Sequence, residues 1–106
     1  MIEINQISLA LGSIIEKNSK FEKKFGLKRG TVFNLTGIKQ RTITNNKETA
    51  ESLAIRACRN LNKSNLKKIT HIISVSNTPT IRFPGISNYL SSRLNLTNVH
   101  CLNLNQ

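Results

Sequence analysis

The feature that most constrains this chain is a change of hydrophobic rhythm in its second half. Over residues 48–63, ETAESLAIRACRNLNK, the apolar side chains Ala50, Leu53, Ala54, Ala57, Cys58 and Leu61 recur every three or four positions, and Glu51, Arg56, Arg59 and Asn60 take the other faces. That period predicts an amphipathic helix, and its small residues suit close packing on a sheet. Residues 69–75, ITHIISV, are too short for a good helix and apolar on both faces, which predicts a central strand. A loop, SNTPTIRFPG, follows. Pro84 fits the first turn of a further helix that turns Ile86, Tyr89, Leu90 and Leu94 inward. The run from Val99 to Leu104 returns to strand, and its two-residue alternation puts Leu102 and Leu104 toward a core and Asn103 and Asn105 toward something polar.

The first half is less regular. Ile2 and Ile4, continued by Ile7, Leu9 and Leu11, predict an opening strand closed by Gly12. Ser19 with Glu22 has the spacing of a capping box, and Phe21 and Phe25 lie one helical turn apart before Gly26, so a short helix is expected. Arg29 to Asn34 forms another turn ahead of Thr36-Gly37, and residues 38–44, IKQRTIT, read as an exposed passage, loop-like or extended. Strands separated by helices need crossover connections, so the expected class is α/β, a mostly parallel mixed sheet with helices packed on it. No repeat or linker marks a boundary, and residues 1–106 are expected to form one domain.

Composition narrows the function. With 38% apolar and 5% aromatic residues, the core should be marginal. Sixteen Lys and Arg against five acidic residues, all Glu, give a net charge of +11, which attracts nucleic acid, anionic membrane or an acidic partner. The cations are scattered, densest at Lys17, Lys20, Lys23, Lys24, Lys28 and Arg29 and again at Lys63, Lys67 and Lys68, and no aromatic ladder interleaves them as single-strand binding requires. Nucleic acid is therefore disfavoured, and a steep fall of affinity with salt would be its signature. Cys58 and Cys101 have neither CxxC spacing nor a disulfide framework, which points to a reducing compartment, the cytoplasm. No signal peptide or membrane span is evident, because Glu3, Asn5, Gln6 and Ser8 interrupt the apolar N-terminus. Cys58 falls on the helix stripe as packing, His71 and His100 lack convergent ligands for a metal, and Ser74, Ser76, Ser91 and Ser92 lack a nucleophile elbow.

Four segments in order, FEKKFGLKRGTVFNLTGIKQRTIT, ETAESLAIRAC, ITHIISVSNTPTIRFPG and HCLNLNQ, resemble the N-terminal half of β-ketoacyl-acyl-carrier-protein synthase III and its thiolase-fold relatives. The most specific pieces are TGIKQR at 36–41, similar to the family's RTGI..R segment, and FPG at 83–85, similar to its FP segment. The resemblance implies a partial thiolase-like layer and a decarboxylating condensation of an acyl thioester with malonyl carried on acyl carrier protein, with no cofactor and no metal. It implies that the strand HCLNLNQ leads into an elbow bearing the nucleophilic cysteine, expected just after Gln106, so Cys101 is not that nucleophile and residues 1–106 contain no catalytic residue. The family's catalytic His and Asn belong to its other half.

By the same resemblance Thr31, Leu35, Thr36, Arg41 and Phe83 fall at substrate-binding positions. Leu35 stands where the family has an arginine that helps position coenzyme A, and Thr31 where well-known members stack a tryptophan on adenine. Leucine cannot bind phosphate and threonine offers no stacking face, so a carrier-linked or specialised acyl donor is implied. Arg41 matches an arginine near the pocket entrance, with a solvated surface arginine as the alternative. Phe83 matches an aromatic that reaches across the dimer, with packing before Pro84 as the alternative. The dimer interface would take Phe83, Cys101, Leu102, Asn103 and Leu104. The implied partners are the C-terminal half of the enzyme, a second copy in a homodimer, acyl carrier protein and an acyl thioester. A noncatalytic partner subunit of the same fold, and a small basic nucleic-acid module, are the competing classes.

Overall fold

The computed structural model describes residues 1–105, so the expected elbow after Gln106, and Gln106 itself, lie outside the described residues. The chain runs β1 (Ile14–Lys17), α1 (Asn18–Lys24), α2 (Thr31–Thr36), β2 (Gln40–Ile43), α3 (Ala50–Arg59), α4 (Lys63–Leu66), β3 (His71–Ser76), α5 (Ile86–Arg93) and β4 (His100–Asn105). This is the mixed α/β order expected. Among the described residues the sheets are small, one antiparallel pair, β1 with β2, and one parallel pair, β3 with β4. The expected predominance of parallel pairing therefore holds for one sheet of the two. Among the described residues no helix is long and apolar enough to cross a membrane. Two compact units are distinguished, residues 11–47 and, separately, residues 1–10 together with the stretch from Glu48 onward.

In the larger unit α5 packs on one face of the β3/β4 pair, and α3 packs against α5. Ile55, Ile86 and Leu90 are its fully buried apolar side chains, and Ala50, Ala54, Cys58, Ile72, Tyr89 and Leu94 pack around them. Each of the three contributes roughly 1.5–3 kcal/mol, so the core is as thin as the composition implied. Helix α3 starts with a reciprocal capping box, Thr49 Oγ1 accepting from Ser52 N at 3.2 Å and Ser52 Oγ accepting from Thr49 N at 2.8 Å. Two expectations for this helix fail. Ile55, absent from the predicted stripe, is its buried apolar residue, and Glu51, expected on an outer face, is 2% exposed. Helix α5 begins after Gly85 rather than at Pro84, and ends in a Schellman turn, with Asn95 at φ +53°, Asn95 N donating to Ser92 O and Leu96 N donating to Ser91 O.

A central β3 and inward leucines on β4 are not what the described residues show: β3 pairs with β4 alone, and the leucines lie on the face that no described element covers. In the parallel register Ile73 lies opposite Leu102 and Val75 opposite Leu104, and these four side chains are 48% to 65% exposed. The half-buried positions are Ile72, Ser74, Ser76, Cys101 and Asn103, on the face that meets the helices. The two-residue alternation holds, with Asn103 turned to the helix side, where Ile72 packs and the polar network forms, and the leucines turned to the uncovered face.

The opening strand is likewise absent. Residues 1–12 form no regular element, although they are extended in pattern, and the segment is held to α3 and α4 by side chains, with Ser8 Oγ donating to Ala57 O at 2.8 Å and Gln6 Oε1 accepting from Asn62 N at 3.1 Å. Those bonds are not a ladder, and alternation without ladder bonds does not make a strand.

In the unit of residues 11–47, β1 pairs with β2, the passage left open between loop and extended, in the register Ile14 to Ile43 and Lys17 to Gln40. Helix α1 has the expected stop, a Schellman turn at Gly26 (φ +64°) with Leu27 N donating to Glu22 O at 2.8 Å. Its start differs from the expected capping box. Lys17 is the N-cap without a side-chain bond, and Glu22, buried, instead accepts from Val32 N at 3.1 Å at the first turn of α2. Among the described residues of this unit no apolar side chain is fully buried.

Candidate functional site

The residues singled out from the sequence fall in both units, and each group has its own local logic. On α2, Thr31 and Leu35 are one helical turn apart and so share a face. Thr31 Oγ1 donates to Lys28 O at 2.6 Å, which closes the turn entering the helix. Thr36 Oγ1 donates to Val32 O at 2.6 Å and accepts from Ile38 N at 3.1 Å, which ties the helix end to the chain leaving it. Both hydroxyls are thus engaged in local backbone bonds. Leu35 is 81% exposed, an aliphatic side chain directed into solvent at the position where the resemblance places an anion-binding group. Arg41, on β2, is half-buried with its guanidinium 4.5 Å from the centre of the Phe21 ring, a cation–π contact that fixes the side chain.

In the other unit the striking density of hydrogen bonds belongs to Asn103. Its Oδ1 accepts from Ser74 Oγ at 2.7 Å, Ser87 N at 2.8 Å and Ser87 Oγ at 2.9 Å, and its Nδ2 donates to Asn88 Oδ1 at 3.1 Å and Pro84 O at 3.2 Å. One amide therefore joins β4 to β3, to the first turn of α5 and to the FPG loop. Ser87 is fully buried in that contact. Gly85, at φ +102°, is required here, since a Cβ on it would stand 2.4 Å from Asn103 Cγ.

Glu51 secures the other end of the same loop. Its carboxylate accepts from Thr80 N at 2.8 Å, from Ile81 N at 3.0 Å and from the Thr80 hydroxyl. Burial pushes its pKa upward, but the bonds from Thr80, from the Ile81 amide, from its own amide and from Thr49 outweigh burial and hold the carboxyl at about 2. With both ends anchored, Phe83 projects from the middle of the loop at 92% exposure. Phe83 is thus not packed within the described residues, which removes the core-packing alternative for it there.

Leu102 and Leu104 lie on the uncovered sheet face, and Cys101 sits half-buried on the opposite one with its Sγ 3.9 Å from Val99 O. Cys58 packs against the α3/α5 core, and burial raises its thiol pKa, so it is a side chain of the interior rather than a nucleophile. His71 and His100 stack across the parallel pair with ring centres 5.0 Å apart. Among the described residues no three His, Cys, Asp or Glu side chains converge as metal ligands. Sequence reasoning missed the Asn103 and Glu51 anchors. A polar residue toward the C-terminal end of a strand and an acidic one in the first turn of a helix are their only signal.

No family model matches the sequence, and no curated protein matches it. Solved structures do share its fold. β-Ketoacyl-acyl-carrier-protein synthase III from Thermus thermophilus superposes with a TM-score of 0.85 at 22% identity, over 99% of this chain and 33% of that one. A 3-oxoacyl-(acyl-carrier-protein) synthase III gives 0.86 at 24% identity, over 97% and 32%. The HMG synthase of the curacin biosynthetic pathway, in complex with its holo donor acyl carrier protein, gives 0.81 at 20% identity, over 98% and 26%. The chain therefore has the fold of one segment of these synthases and spans about a quarter to a third of their length.

Proposed function

We propose that this chain supplies the N-terminal part of a synthase III-like acyltransferase and is catalytically incomplete without the remainder. The observation that carries the reading is the uncovered sheet face of Ile73, Val75, Leu102 and Leu104, four apolar side chains in register on a strand pair whose other face packs on α5. A contiguous apolar face of this kind marks a surface that further structure covers. The superposition on about a third of each condensing enzyme supports the same reading.

The reaction is a decarboxylating condensation. A cysteine thiolate, supplied beyond the described residues, attacks an acyl thioester and expels its thiol. Malonyl carried on acyl carrier protein then loses carbon dioxide, and the resulting carbanion attacks the enzyme-bound acyl group, forming the new carbon–carbon bond and releasing the thiolate. In this scheme the Asn103 network positions β4, which leads to the nucleophile, against α5 and the FPG loop. Arg41, held on Phe21, lies at the substrate entrance with Thr31, Leu35 and Thr36, and Phe83 reaches a second copy in a homodimer, where Cys101 to Leu104 form the adjoining edge. Leu35 offers no phosphate contact, so the donor is carrier-linked rather than coenzyme A. Acyl carrier protein as partner is favoured by the net charge of +11 and by the carrier complex of the curacin enzyme. A cytoplasmic location follows from this role.

The test is condensation by the natural full-length protein, with radiolabelled malonyl-acyl carrier protein and either acyl-acyl carrier protein or acyl-coenzyme A. Release of labelled carbon dioxide with formation of a β-ketoacyl carrier, faster from the carrier-linked donor, is expected. A protein that binds the carrier yet forms no carbon–carbon bond would replace this reading with a noncatalytic partner subunit.

A further inference from the structure

A cleft of about 610 Å³ opens between the C-terminal end of α3, α4 and the C-terminal end of α5. Its lining is unusual in composition. Arg59, Lys63, Lys67 and Arg93 stand around it, and Leu66, Leu94 and Leu96 provide its apolar surface. None of the five glutamates lines it, and among the described residues none of the four cations is in an ion pair. Arg59 and Arg93 each sit in the last turn of a helix, where a cation complements the helix dipole. Lys63 and Lys67 flank a single-turn helix with little dipole, so this account does not extend to them. Four like charges around one apolar cleft repel each other, and a bound anion relieves that repulsion. The wall is defined by structure, since the Schellman turn at Asn95 folds Leu96 back toward Ser91, with bonds of 2.9 Å from Leu96 N to Ser91 O and 3.0 Å from Ser91 Oγ to Leu96 O.

We infer that this cleft binds an anionic amphiphile, an aliphatic chain bearing a phosphate head. The leucines take the chain and the four cations the head. The volume falls in the range of small-molecule sites, roughly 300–1,000 Å³, and the absence of any aromatic side chain in the lining leaves no platform for a nucleobase. The inference is independent of the condensing-enzyme reading, because it uses neither the sheet face nor the α2/β2 residues.

Calorimetric titration of the full-length protein with octyl phosphate below its micellar concentration tests it, alongside inorganic phosphate and octyl glucoside. Octyl phosphate should bind one to one and at least tenfold more tightly than either control. Joint replacement Lys63→Gln and Lys67→Gln, at exposed positions, should weaken it at least tenfold while leaving the unfolding midpoint in place. Equal affinity for inorganic and octyl phosphate, or full affinity in the double variant, would overturn the inference, as would preferential binding of an acidic helical peptide. Phosphatidylglycerol vesicles identify the source of the ligand. Binding to them that the double variant loses assigns a lipid headgroup, binding of the monomer alone assigns a free alkyl phosphate, and vesicle binding unchanged in the double variant counts against the cleft.

Discussion

Glu51→Gln removes one negative charge from a buried position while keeping the side chain's shape. In the native protein the carboxylate gathers two backbone amides and one hydroxyl from residues 80 and 81, and its pKa falls from 4.5 to about 2. At about 1.4 kcal/mol per pH unit, that difference corresponds to roughly 3 kcal/mol of stability at neutral pH. Because the folded-state value lies below the unfolded one, the contribution is fully present above about pH 4.5 and disappears as pH falls toward 2. The glutamine still offers one acceptor oxygen, but its neutral amide puts an N–H₂ donor where the carboxylate accepted bonds. The variant should therefore lose about 2–3 kcal/mol at pH 7. Urea unfolding followed by circular dichroism between pH 7 and pH 3 measures both effects. Native protein should lose stability steeply below pH 4.5, and the variant should start lower with a shallower decline. An unchanged midpoint at pH 7, with the same acid limb as the native protein, would refute the carboxylate's role as anchor of the loop.

Other expectations follow from the same geometry. Asn103→Leu leaves the Ser74 hydroxyl, the Ser87 amide and hydroxyl, the Asn88 side chain and the Pro84 carbonyl without this partner, and should cost about 2–4 kcal/mol in denaturant unfolding. Gly85→Ala places a methyl group against Asn103 at a positive φ, and should destabilise by at least about 1–3 kcal/mol in the same assay. Cys58, its thiol pKa raised by burial, should react with a maleimide at pH 7.5 many times more slowly than free cysteine, and reach that rate only in denaturant. Leu102→Lys, at an exposed position, should change the stability of the isolated chain by no more than about 0.5 kcal/mol, yet prevent assembly with the rest of the enzyme in a co-purification experiment.

Where the physics is local, the sequence was legible. The helix stop at Gly26, the turn before Gly37, α3 and the parallel strand at 100–105 all follow from glycine conformation or hydrophobic period. What failed depended on partners distant in sequence. Glu22 has a capping-box spacing, but its carboxylate serves another helix, ten residues on. IIEK at 14–17 carries no clear alternation, and the antiparallel register with Gln40–Ile43 is what makes it a strand. Alternation in LNL separates the leucines from the asparagines but does not say which face the helices take, and the five bonds of Asn103 put it on the helix side. The TGIKQR and FPG segments are what single out Arg41 and Phe83 as candidates. The two anchors that hold the Phe83 loop, Glu51 and Asn103, read in the sequence as ordinary polar residues.

Carbene footprinting of the natural full-length protein, read residue by residue against the chemically unfolded chain, asks most directly whether the β3/β4 face is built to be covered. Ile73, Val75, Leu102 and Leu104 should be protected as strongly as the core residues Ile55 and Leu90. Labelling of those four side chains at the level of the unfolded chain, in a protein otherwise folded, would contradict the account.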